Sequence, residues 1–345
     1  MDELARLPAA DRAAVFRTAA AERGLPPPYV EKDFWVCWLL RRLFAPPLVD
    51  GMVFKGGTSL SKVWEAIDRF SEDIDLTLPR GRLPRGEPIE ITDGHSVTQR
   101  KKLKEQLDAL VEAWCAGPGL NAVRGRIAAL LGAETGWVIR AVADSMEFEY
   151  PLGLPTDEYG GGYVLRLVRL EFGAAMPTTP AEEHQIQPYS TRAGEYRMRD
   201  AHVLVQVLAP ERTFWEKTTL VHAENNRPGP RLADRVSRHY ADVATLFAHE
   251  IGRRALAQVE ILPQVARDKE RYFYTAWAGY GEAAEGRLRL VPSVEHEQVL
   301  RRDYEQMREM YHSEPLDFDT VLKRLAELQE VVARQPRFRA PPPPR

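Results

Sequence analysis

Two cysteines in 345 residues, Cys37 and Cys115, are too few for a disulfide framework or a thiolate zinc site. Their settings, WVCWLL and EAWCAG, read as helix interiors, and a reducing cytoplasm is the expected home. Long apolar runs are missing too: the longest, Phe34 to Leu40, falls far short of a membrane span. The acidic, amphipathic start MDELARLPAADR lacks the apolar core of a signal peptide, so a soluble chain with no membrane partner is expected. Nor is there charge of one sign. The 47 Lys and Arg against 50 Asp and Glu leave a net charge of −3, so any nucleic-acid contact must rest on local basic patches. His202, His222 and His239 do not share metal-ligand spacing. Neither a GxxxxGK[ST] loop nor a GxGxxG turn is present, which excludes the Walker and dinucleotide-binding readings.

What is present is FKGGTSLSKVWEAIDRFSEDIDLTL, residues 54–78. It reads as a strand (Met52 to Phe54), a Gly-Gly turn, a helix start and a second strand with two acids. Gly56 and Gly57 carry no Cβ and allow close backbone approach to a triphosphate, and Thr58 and Ser59 are positioned to donate to its oxygens at a helix N-terminus. Lys62 follows one helical turn later and is expected near the phosphates. Asp73 and Asp75 alternate onto one face of a strand, where their hard oxygens can share Mg²⁺ or Mn²⁺. Ser71 and Glu72 shape the turn before them.

Periodicity predicts a helix over Pro8 to Arg23 and another through VEKDFWVCWLLRRLF, with Lys32, Arg41 and Arg42 off its apolar face. Pro79 to Gly94 reads as a long mobile loop. A helix is expected from Ser96 to Cys115, opening on the basic cluster Arg100, Lys101, Lys102 and Lys104. With Arg80, Arg82 and Arg85 that cluster offers a path for an RNA backbone, although a solvated charge run is the better reading. Strands are expected over Trp137 to Val142, Met146 to Tyr150, Tyr163 to Phe172 and His202 to Leu208, with Gly160 to Gly162 as punctuation. From Pro210 the pattern is helical, interrupted by a polar linker at Asn225 to Pro230. The tail from Gln335, ending PPPPR, reads as extended or disordered.

The segment GGTSLSK…SEDIDL resembles the glycine turn and Asp-x-Asp strand of polymerase-β-like nucleotidyltransferases, and within them the AbiEii/AbiGii toxin branch. Glu31-Lys32-Asp33 is similar to an N-terminal word of that family, although capping and solvation account for it as well. The resemblance continues in FWEKTTLVHAE and RHYADVATL, where it implies a functional Lys217 and Asp242. Arg238 shares a helical face with Asp242; a plain i,i+4 ion pair is the alternative. Lys217 is expected on phosphates, with Arg238 beside it, and Asp242 positioning it or assisting the acceptor hydroxyl. A third acid often completes such a metal platform. Glu171, in an otherwise apolar strand end, is the candidate, and an ordinary pair with Arg169 or another basic residue is its alternative.

The resemblance implies an α+β fold with a polymerase-β-like nucleotidyltransferase core, a mixed β-sheet with flanking helices, and a C-terminal helical lobe. Residues 1–48 would be N-terminal helices packing on the core, 49–208 the core, 209–334 the lobe and 335–345 a flexible tail. It implies transfer of a nucleoside monophosphate from an NTP to an acceptor, RNA and tRNA foremost, by the toxin of a bacterial toxin–antitoxin or phage-defence pair, with a cognate antitoxin as partner. Two alternatives remain at this stage. One is transfer to a protein or small-molecule hydroxyl, an aminoglycoside for instance, and the other a nucleotide-binding interaction module without transfer.

Overall fold

A computed structural model describes residues 1–71, 73–84, 88–133, 136–159 and 164–338. Expectations placed on Glu72, Arg85, Gly160 to Gly162, Tyr163 and the tail beyond residue 338 lie outside these. The chain divides into two compact units, one of Met1–Trp64, Phe70–Glu90 and Leu103–Leu208, the other of Glu65–Arg69, Ile91–Lys102 and Ala209 onward.

The first unit opens with α1 (Asp2–Arg6), α2 (Ala9–Arg23) and α3 (Pro27–Phe44). Helix α3 is buried almost all round from Pro28 to Leu40. It packs against α2 and the sheet, which is why its sequence is apolar on more than one face. Trp35 stacks on Tyr150 with ring centroids 5.7 Å apart, and Trp38 on Phe148 at 6.3 Å. Lys32 departs from the expected solvent face: it is 1% exposed and donates to the Leu165 carbonyl at 3.1 Å. Glu31 and Asp33 are buried as well, so capping and solvation do not explain that word. Glu31 accepts from the Gly153 and Leu154 amides and from the Tyr159 hydroxyl.

Next come β1 (Val53–Lys55), α4 (Gly56–Lys62), β2 (Ile74–Thr77), α5 (Val97–Trp114), α6 (Leu120–Leu131), β3 (Val138–Val142), β4 (Ser145–Glu149), β5 (Val168–Gly173), β6 (Ala181–Ile186), the short pair β7 (Arg192–Ala193) and β8 (Tyr196–Arg197), and β9 (Val203–Leu208). The main sheet has seven strands in the order β3-β4-β5-β2-β1-β9-β6. It is mixed: β2 runs parallel to β5 and β1 to β9, and the remaining pairs are antiparallel. Alternation decides its faces. On β5, Val168, Leu170 and Phe172 are buried while Arg169 and Glu171 are only partly so.

The expected loop over Pro79 to Gly94 is anchored where it is described. Leu83, Ile89 and Ile91 are buried, and Arg80 holds Glu90 at 2.9 Å and the carbonyls of Ala174 and Ala175. The basic start of α5 is partly committed too: Arg100 bonds the His95 carbonyl and Lys104 pairs with Asp108.

The second unit is helical, with α7 (Pro210–Asn226), α8 (Ser237–Ala248), α9 (Glu250–Ala257), α10 (Ile261–Tyr272), α11 (Tyr280–Ala284), α12 (Val294–Gln306) and α13 (Phe318–Ala333). Helix α8 packs against α7, α9 and α13. Residues 65–69 join this unit through a backbone bridge between Arg69 and Tyr311 and a bond from the His312 amide to the Asp68 carbonyl. The mixed sheet with flanking helices and the helical C-terminal unit match the α+β architecture expected from the sequence. Among the described residues no helix is long and apolar enough to cross a membrane.

Candidate active site

In the first unit the site is built on the β1-α4-β2 turn. Lys55 lies opposite Asp75 in the antiparallel register of β1 and β2, so the helix that follows Lys55 starts beside Asp75. Gly56 has φ +80°, and a Cβ there would lie 1.8 Å from Oδ2 of Asp75. Only glycine meets both demands.

Asp75 in turn lies opposite Glu171, because β2 and β5 pair in parallel with Ile74 against Leu170. Alternation places Asp73 on the same face as Asp75. The three acids meet electrostatically: burial first, then Asp75 and Asp73, push the Glu171 carboxyl up to about 7, with Arg169 opposing. The alternative pairing of Glu171 with Arg169 is not what the structure shows. The Arg169 guanidinium bonds Glu147 on β4 at 3.1 Å. Among the described residues no three His, Cys, Asp or Glu side chains are drawn into a ready-made metal cage. The donor chemistry nevertheless fits a hard cation. All three groups offer carboxylate oxygens, and their mutual repulsion is what a divalent ion at this face would relieve.

Thr58 and Ser59 depart from the expected phosphate contact. Both are buried, at 2% and 0% exposure. Thr58 Oγ1 donates to the Asp73 carbonyl and Ser59 Oγ to the Gly56 carbonyl at 2.9 Å. They brace the turn from within, Thr58 holding the first acid's backbone against the helix. Gly57 is buried beside them.

Lys62 is turned inward as well. Its ammonium sits 2.6 Å from Asp33 Oδ1 and 3.7 Å above the Tyr189 ring, with its side chain 6% exposed. Asp33 also accepts from the Tyr189 amide at 2.6 Å. Burial lowers the Lys62 pKa, but Asp33 and its neighbours outweigh it, and the net direction is upward. The residue expected on the phosphates is a strut between α4 and α3.

In the second unit Lys217 and Asp242 touch. Nζ of Lys217 is 2.9 Å from Asp242 Oδ2, and both are buried. The other partner of Asp242 is Arg69, which the sequence reading passed over. Its Nε reaches Oδ1 and its second nitrogen Oδ2, both at 2.7 Å. Burial opposes ionisation of Asp242, but Arg69 and then Lys217 hold its carboxyl far below the usual range. Lys217 is lowered by burial first, with Asp242 raising it and Arg69 lowering it further. Arg238 does not form the i,i+4 ion pair with Asp242 that was the alternative to a role on the nucleotide. Its Nε is buried with no hydrogen-bond partner among the described residues, and its charge lowers both Lys217 and His239. His239 Nδ1 lies 3.4 Å from the Lys217 ammonium. His222 is structural, bonding the Gly279 carbonyl and the Arg289 amide.

A glycine-started helix beside a strand of paired acids, with a third acid on the neighbouring strand, is an arrangement suited to nucleotidyl transfer. Comparison with known proteins agrees. The family described as "Nucleotidyl transferase AbiEii toxin, Type IV TA system" matches residues 38–324, and the chain belongs to that family. It is therefore a nucleotidyltransferase toxin of a type IV toxin–antitoxin system. Seven chains of known structure are similar to it. One, MenT4, a nucleotidyltransferase toxin from Mycobacterium tuberculosis H37Rv, is 18% identical, with 92% of this chain and 98% of that chain covered at a TM-score of 0.39. No curated protein matches.

Proposed function

We propose that the protein transfers a nucleoside monophosphate from an NTP to an acceptor hydroxyl on RNA, tRNA foremost, and that its activity is held in check by a cognate antitoxin. The observation that carries the reading is the lateral alignment of Asp75 with Glu171, with Asp73 on the same face beside Gly56. These three acids would hold Mg²⁺ or Mn²⁺, which when bound supplies charge neutralisation for the triphosphate.

In the transfer the acceptor oxygen bonds the α-phosphorus, the bond from that phosphorus to the bridging oxygen of pyrophosphate breaks, and the acceptor proton leaves. The chain's own contribution is placement and charge. Gly56 and Gly57 let the backbone approach the nucleotide, and Thr58 and Ser59 fix the turn that carries them. Lys217 and Arg238 provide cations for the phosphates. Asp242 acts by positioning Lys217, because a carboxylate held so far below its usual range is a weak base. The exposed Lys101 and Lys102 on α5 favour a polyanionic acceptor.

The test is incubation of the purified protein with Mg²⁺, each α-³²P-labelled NTP, total bacterial RNA and total bacterial protein. Label on tRNA-sized RNA, with one base preferred, is the expected result. Label on protein alone, or none anywhere, contradicts RNA as acceptor.

A further inference from the structure

The sheet of the first unit carries a charged ladder beside the three acids. On β5 Arg169 stands two residues before Glu171, and both lie on the less buried face. Alternation puts them about 7 Å apart along the strand. Parallel pairing sets Ile74 against Leu170, and the same register carried back one residue brings Asp73 beside Arg169. Asp73 and Glu171 both act on the charge of Arg169, as does Glu147.

The ties Arg169 makes within the fold do not explain it. Glu147 on β4, directly opposite, already takes Arg140 of β3 through Nε at 3.1 Å and a terminal nitrogen at 2.7 Å. Arg169 reaches Glu147 with one nitrogen at 3.1 Å, its one hydrogen bond among the described residues. Its side chain is 37% exposed. A pair this open, to an acid that has another partner, contributes little stability. The planar guanidinium keeps donors for a further acceptor.

Strand order says on which side of the acids that acceptor would lie. Strands β1, β2 and β5 are neighbours, about 4.8 Å apart at each step. The Gly56-Gly57 turn after β1 therefore flanks the acids of β2 on one side, and Arg169 on β5 flanks them on the other. Displacement at phosphorus is close to in line. With the triphosphate at the glycine turn and its α-phosphate at the acids, the attacking oxygen arrives from the side of Arg169.

We propose that Arg169 binds a phosphate oxygen of the acceptor RNA beside the attacking hydroxyl. A guanidinium fork fits a phosphate by two-point contact, and a cation fixed there offsets the repulsion between an RNA backbone and the acid face. The proposal rests on the reading of RNA as acceptor, and it adds a residue that holds the acceptor strand rather than the nucleotide.

The test compares the full-length protein with Arg169→Gln, Arg169→Lys, Glu147→Gln and Arg169→Gln/Glu147→Gln, each checked for folding by near-UV circular dichroism. Binding of total tRNA is measured by filter retention in Mg²⁺ over a range of KCl, and binding of non-hydrolysable analogues of the four NTPs by calorimetry. Arg169→Gln should weaken tRNA binding by about tenfold and reduce the slope of log affinity against log salt by about one, as loss of one phosphate contact does. Arg169→Lys should keep the slope, with an affinity in between. Glu147→Gln breaks the same ion pair but keeps the guanidinium, and should bind tRNA at least as tightly as the parent. A merely structural pair would give the two variants the same loss. If Arg169→Gln does not fold, the double variant, which leaves neither charge unpaired, should show the loss expected of it. Analogue binding should be closely similar in parent and Arg169→Gln. No retention of tRNA by the parent, an unchanged salt slope on removal of the guanidinium, equal losses in Arg169→Gln and Glu147→Gln, or a loss confined to the NTP analogues would each overturn the proposal. A parent that binds tRNA in this pattern but labels no RNA would sink the proposed transfer and leave Arg169 as an RNA contact; a parent that labels tRNA while Arg169→Gln keeps its affinity and slope would do the reverse.

Discussion

Gly56 and Asp75 occupy space that only a glycine can share: a Cβ on Gly56 would fall 1.8 Å from the Asp75 carboxylate, at a backbone φ of +80°. The helix start and the acid strand are therefore one unit of structure. Gly56→Ala must either move Asp75 or unwind the start of α4. It should cost about 1–2 kcal/mol from the left-handed backbone alone, with further loss from the clash. Nucleotide transfer should fall by about a hundredfold or more, since a misplacement of roughly 1 Å suffices for that. Thermal unfolding beside an initial-rate assay checks both, and a fully active Gly56→Ala protein would contradict the placement of Asp75.

The Lys62–Asp33 pair separates a strut from a substrate contact. Breaking a buried ion pair by removing one partner costs roughly 3–5 kcal/mol. Lys62→Met should therefore lower the unfolding free energy substantially, and Asp33→Asn should do the same. A Lys62 that bound phosphate would instead show an unchanged unfolding midpoint and a raised KM for NTP. Denaturant titration of both variants beside the parent distinguishes the two.

Divalent cations should stabilise the parent through its acid face. Mg²⁺ or Mn²⁺ is expected to raise the unfolding midpoint, and chelation to lower it again, because the ion binds the folded state. The shift should shrink in Glu171→Gln and vanish in Asp75→Asn. Equal shifts in parent and both variants would place the cation elsewhere.

Acid should unfold the protein partly through Asp242. Its folded-state pKa is depressed, with Arg69 and then Lys217 overcoming the effect of burial. The stability this contributes is present above the ordinary aspartate value of about 3.9 and is lost as pH falls below it, because the unfolded chain takes up the proton first. Asp242→Asn should flatten stability against pH between about 5 and 2. A variant with the same acid limb as the parent would show that the carboxylate is not held ionised.

Much of the first unit was legible because its signals are local. Gly56-Gly57, the Asp73/Asp75 alternation and the periodic α5 each depend on residues close in sequence. The misses share the opposite property. Strand β6 reads AEEHQI and carries only one fully buried residue, Ile186, so it has no apolar alternation to betray it; its pairing with β9 supplies the order. Helix α6 lies behind the Gly117-Pro118-Gly119 break, which reads as an end rather than a kink. Lys62 and Thr58 carry functional-looking side chains, yet their partners, Asp33 and the Asp73 carbonyl, are fixed by tertiary packing. Glu31, Lys32 and Asp33 look like solvated charge and are buried anchors for the same reason. Arg69 stands four residues before Asp73 and would attract attention only to a reader who already knew that Asp242 lies across from it.

The central claim is that the acid face of β2 and β5 performs nucleotidyl transfer, and pyrophosphate release measures it most directly. Parent, Asp73→Asn, Asp75→Asn and Glu171→Gln proteins would be compared with Mg²⁺, each NTP and total RNA, with folding confirmed by circular dichroism. The account predicts release from the parent and a loss of about a thousandfold or more in Asp73→Asn and Asp75→Asn, of the size seen when a main transition-state stabiliser is removed, with Glu171→Gln between. Parent-like release from a folded Asp75→Asn protein would contradict it.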